Sequence, residues 1–141
     1  MIISKGVQNM NTIVKNFIEQ NIELIEQRDW ENLFSIWYND YCNYGDDNKE
    51  VEEIFQIIDS TGIATRLESK AARWSILEKH IIAYVEDCKL QQKAIVTVMG
   101  AVISIRSWLG VQGLTNRIQF VRQVFKKLQI VPDENKWTYS L

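Results

Sequence analysis

The chain has few of the residues that punctuate or cross-link a fold. Its 141 residues hold one proline (Pro132), six glycines, two cysteines and one histidine. So little glycine and proline argues against a many-turned β architecture and favours long helices. Cys42 and Cys88 are too few to form a disulfide framework, and a chain of this length can bury a core without one. They read as reduced thiols of a cytoplasmic protein. Two cysteines and one histidine cannot complete a four-ligand structural zinc site without carboxylates. No Glu-x-x-His pair suggests a bundle metal centre. No glycine-rich phosphate loop or dinucleotide fingerprint is present. The opening residues, MIISKGVQNMN, lack the basic region and apolar core of a secretory signal. No metal and no cofactor is expected.

What is present describes a globular chain. Hydrophobic residues make up 46% and charged residues 24%, close to globular averages. The net charge of −2 conceals an asymmetry. Residues 1–60 carry twelve acids and four bases, net −8; residues 61–141 carry six acids and twelve bases, net +6. Either the two halves neutralise each other, or the surface is dipolar and its ends meet different partners.

Apolar spacing predicts a series of amphipathic helices. The first covers 10–27, with Met10, Ile13, Val14, Phe17, Ile18, Ile22 and Ile25 inward and Glu19, Glu23 and Glu26 outward. Asp29 reads as the N-cap of a second helix striped by Trp30, Leu33, Phe34, Trp37, Tyr38 and Tyr41. NYGDD, residues 43–47, reads as a loop. Val51, Ile54, Phe55 and Ile58 stripe a third helix, with Gly62 as its C-cap. Thr65-x-x-Glu68 is a capping box opening a fourth, whose seam is Leu67, Ala71, Trp74, Leu77, Ile81, Tyr84 and Val85, ending near Glu86–Lys89. Gly110 and Gly113 bracket a turn. Leu114, Ile118, Val121, Phe125 and Leu128 stripe a last helix that Pro132 stops.

The stretch AIVTVMGAVISI, residues 94–105, is the ambiguous one. Twelve residues closed by Lys93 and Arg106 are too short for a membrane span. A hairpin turning at Met99-Gly100 lacks good turn residues and would stand as an isolated sheet. Leu90–Leu109 is therefore expected to form a central helix, buried nearly all round, with Gly100 and Ala101 admitting a close neighbour. The expected fold is all-α: one compact domain over 1–141, about six helices around residues 90–109, with 130–141 as a C-terminal tail. Trp137 and Tyr139 of that tail are expected to dock on the body.

No catalytic constellation is legible. His80 lies at the edge of the fourth helix's seam. Cys88, eight residues on, is about 80° away around an ideal helix, so the two do not face each other. The reading that remains is a non-enzymatic, intracellular protein-protein interaction module: an adaptor, regulator or protein inhibitor. Its contact residues are expected among Trp30, Trp37, Tyr38 and Tyr41, because Trp and Tyr dominate interface energetics, with Glu19, Glu23 and Glu26 beside them. The alternative is a nucleic-acid-binding regulator using Arg117, Arg122, Lys126 and Lys127. Residues 107–127 have a loose helix-turn-helix pattern, with one helix ending at Leu109–Val111 and a basic helix following. The same basic face also suits an acidic protein partner. Self-association stays open, and no membrane partner is expected.

Overall fold

The computed structural model describes residues 12–42, 49–61, 66–111 and 113–141. Among them are seven helices and one three-stranded sheet: α1 (Thr12–Gln20), α2 (Ile22–Glu26), α3 (Trp30–Asp40), α4 (Lys49–Thr61), α5 (Arg66–Leu90), β1 (Ile95–Thr97), α6 (Val98–Ser104), α7 (Leu114–Lys127), β2 (Val131–Pro132) and β3 (Thr138–Ser140). The fold is mostly α. It divides into two compact units, one built from residues up to Cys42 with 48–76, the other from 43–47 with 77–141.

In the first unit, the helix expected over 10–27 is two helices. Asn21 separates them: its side-chain Nδ2 donates to the Phe17 carbonyl at 2.8 Å. An asparagine that bonds nearby backbone offers an alternative to helical continuation. Asp29 caps α3 as its position suggests, its carboxylate accepting from the Asn32 amide. Trp30, Leu33, Phe34, Trp37 and Tyr38 are buried along α3, and Val51, Ile54, Phe55 and Ile58 along α4. Met10, the 43–47 loop, Gly62 and the Thr65 half of the capping box lie outside the described residues. On α5 the buried positions of this unit are Ser69, Arg73 and Ile76, whereas Ala71 is exposed. Arg73 is tolerated because its guanidinium lies over the Phe55 ring, 4.4 Å from the centroid, and 3.4 Å from Glu52 Oε1. A buried charge needs such partners.

The second unit corrects the central-helix expectation. Residues 90–109 are not one helix: α5 ends at Leu90, Ile95–Thr97 is a strand, and only Val98–Ser104 is helical. β3 lies between β1 and β2, antiparallel to both. Val96 pairs with Tyr139, and Val131 with Ser140. The β-branched trio Ile95-Val96-Thr97 takes its preferred strand state because a partner some forty residues away supplies the ladder. Thr97 then closes the strand and caps α6, its Oγ1 accepting from the Gly100 amide at 2.8 Å. The residues after Ile130, expected as a tail, form the other two strands. Tyr139 is buried with its ring 4.9 Å from that of Phe125, while Trp137 remains 44% exposed. Pro132 is therefore a strand residue and not the stop of α7, which ends at Lys127. Leu114, placed on the apolar stripe by its spacing, is exposed.

Candidate functional site

The aromatic helix is mostly core. Trp37 is 1% exposed, stacks on Tyr41 at 4.8 Å between centroids and meets Phe17 edge-on. Trp30 is buried and its indole donates to Glu68 Oε2 at 3.3 Å. Tyr38 is buried as well, and only Tyr41 is half-exposed. These aromatics stabilise the first unit and offer little surface to a partner. Glu19, Glu23 and Glu26 are exposed on α1 and α2, as their spacing requires.

The four cations of α7 do not form one stripe. Lys127 is paired with Glu78 at 2.6 Å. Arg117 donates through Nε to the Val111 carbonyl and lies 5.6 Å from the Trp108 ring. Arg122 donates to the Lys136 carbonyl through Nε and Nη2, at 3.3 and 3.1 Å, and stacks over Trp137 at 4.5 Å. Lys126 is exposed. Arg122 and Lys126 are four residues apart and share a helix face. Arg117 is about 140° around the helix from Arg122, so it belongs to another side. The helix-turn-helix expectation is corrected too. The helix before α7 ends at Ser104, not at Leu109–Val111, and nine residues separate it from Leu114. That motif uses a turn of about 3–4 residues.

A groove of about 510 Å³ opens where the end of α7 meets the sheet. Its apolar floor is Ile130, Val131, Pro132 and Tyr139; its rim is Arg122 and Lys126 on one side, with Gln123 and Gln129. Among the described residues no carboxylate lines it. Val131, among these apolar residues, is 65% exposed. The volume falls within the ~300–1,000 Å³ usual for ligand sites. The sequence pattern hides most of this groove. Arg122 and Lys126 stand out as basic, but Ile130–Pro132 lie beyond the helical periodicity, and nothing local shows that Tyr139 returns to them.

The remaining chemistry is sparse. His80 is held below the usual imidazole value of 6.5, first by burial and second by the positive charge of Arg106. Cys42 and Cys88 are buried and are not joined in a disulfide. Among the described residues no three of His, Cys, Asp and Glu gather closely enough to hold a metal ion. No helix there is long and apolar enough to cross a membrane. Comparison with protein-family models, curated proteins and solved structures finds no match.

Proposed function

We propose that this chain is a non-catalytic protein-interaction module that holds a segment of a partner protein in the groove between α7 and the sheet. One observation carries the reading: an open apolar floor beside two cations of α7, with no acid among the described lining residues. Apolar area removed from water supplies affinity, and the charged rim supplies orientation and selectivity. This moves the contact away from the aromatic helix α3, whose large side chains are buried. The regulatory or inhibitory role belongs to the same proposal, as does action inside the cell.

The test is selection of a random peptide library on the full chain. Binders that lose affinity for Val131→Asp, a variant of an exposed strand residue, support the proposal. If no peptide is enriched above background, or if enriched peptides bind Val131→Asp equally well, the groove is not a protein-binding site. Duplex DNA is titrated in parallel. Tight binding that weakens steeply with salt, as counterion release requires, would replace this reading with the nucleic-acid one.

A further inference from the structure

The groove's surroundings point to the chemistry of its occupant, and this inference rests on the protein-binding reading. β2 is an edge strand, so a partner strand added to it is the first mode to consider. The register argues against that mode. Asp133 N–H donates to the Thr138 carbonyl, and Val131 pairs with Ser140. Backbone groups of an antiparallel strand alternate between its two sides. Val131 and Asp133 therefore face β3, and the residue between them, Pro132, faces outward with no N–H to offer. A proline in that place blunts an edge against pairing. With only the Pro132 carbonyl left to offer on that edge, recognition in the groove falls mainly to side chains.

The side chains available are two cations over an apolar floor. Arg122 is fixed in place by the Lys136 carbonyl and the Trp137 ring, and its remaining N–H groups are still donors. Lys126, one helical turn on, is exposed on a flexible stem. A fixed guanidinium and a mobile ammonium flank the same floor, and both call for negative charge. We infer that the occupant is an acidic peptide segment whose bulky apolar residue enters the floor while flanking carboxylates meet Arg122 and Lys126.

Isothermal titration of the full chain tests this with acetyl-Glu-Glu-Leu-Phe-Glu-Glu-amide and counterparts carrying Gln or Lys at the four Glu positions. The Glu peptide is expected to bind about tenfold or more tighter than the Gln peptide, with the Lys peptide weakest, since rim charges select partners. Lys126→Glu, at an exposed position, should weaken the Glu peptide about tenfold and move the preference toward the Lys peptide. Val131→Asp should weaken all three. If all three peptides bind equally and Val131→Asp loses them, the acidic preference is overturned while the protein-binding reading stands. If none binds, the acidic-peptide inference falls, and the peptide library decides the protein-binding reading. Decanoate is the last arm: should it bind with dependence on Lys126 while no peptide does, the groove takes a small amphiphilic acid, and both are overturned.

Discussion

Gly100 and His80 show what single residues do in the second unit. A Cβ built on Gly100 would overlap the Tyr84 hydroxyl and lie 2.5 Å from Thr97 Oγ1, the oxygen that caps α6. Alanine is the better helix former by ~1 kcal/mol, but here it displaces a cap and a ring together. Gly100→Ala is expected to destabilise despite its propensity, and Gly100→Leu to cost ~1–3 kcal/mol through overpacking. Urea melts check this. Because the Tyr84 oxygen is the nearest obstacle, Gly100→Ala should cost less in a Tyr84→Phe background; an additive cycle would show that the contact is not the cause. His80 gives a pH signature. Its folded-state value is lowered, so the unfolded chain takes up a proton first as pH falls below about 6.5. Stability should drop across that window and stop dropping once the folded imidazole is itself protonated. His80 is the only histidine, so His80→Gln should flatten the profile between pH 7.5 and 5. Arg106→Gln should make it shallower. A slope unchanged by both variants would assign it to other groups.

At the scale of the element, three helices end in the same way without glycine. After α2, Arg28 N–H bonds the Ile25 carbonyl and Asp29 N–H that of Leu24; after α5, Gln92 bonds Lys89 and Lys93 bonds Cys88; after α7, Gln129 bonds Lys126 and Ile130 bonds Phe125. This is the Schellman pattern, and Arg28, Gln92 and Gln129 sit at φ 57°, 58° and 60°. A non-glycine residue there costs roughly 1–2 kcal/mol. Gln92→Gly should therefore raise stability by about 1 kcal/mol, less the extra freedom of the unfolded glycine. A higher urea midpoint with unchanged slope is the readout, and a lower midpoint would mean that the Gln92 side chain has a role of its own. These caps also explain what the sequence hides. Apolar periodicity locates α3, α4 and the inner face of α7, and Asp29 marks a true start. The end of α5 at Leu90 lies close to the break expected near Glu86–Lys89, but no glycine or proline signal before Gly100 shows that a strand precedes the helix in the stretch that follows. β1 finds its partner in β3, beyond any local window. Val131, Pro132 and Tyr139 of the groove belong to the strands at the end of the chain, so Arg122 and Lys126 are legible as cations but not as the rim of a site.

Over the whole molecule, the asymmetry of −8 and +6 invites an electrostatic account of function. The cations of α7 do not form one continuous face, and one of them is ion-paired. Lys127 is paired with Glu78, Arg122 is bonded to the hairpin, and Arg117 holds the Val111 carbonyl. A polyanion would meet Lys126 and a divided set of cations, while Glu19, Glu23 and Glu26 add repulsion of long range. That repulsion fades beyond about 8 Å at physiological salt. The expected result is weak duplex binding at low salt that disappears near 0.15 M ionic strength, a range in which screening is already strong. Changing Glu19, Glu23 and Glu26 to Gln should strengthen that low-salt binding without altering stability beyond ~0.5 kcal/mol, as usual for exposed positions. Changing Arg117, Arg122, Lys126 and Lys127 to Gln should remove it and also abolish the preference for the Glu peptide. Fluorescence anisotropy with a labelled duplex at two salt concentrations separates the cases. If the duplex binds tightly at 0.15 M, and the four-cation variant loses it with a shallower salt slope, α7 is a nucleic-acid element. If duplex binding stays confined to low salt and the four-cation variant loses it together with the peptide preference, the positive half of the chain works as the rim of a protein-binding groove.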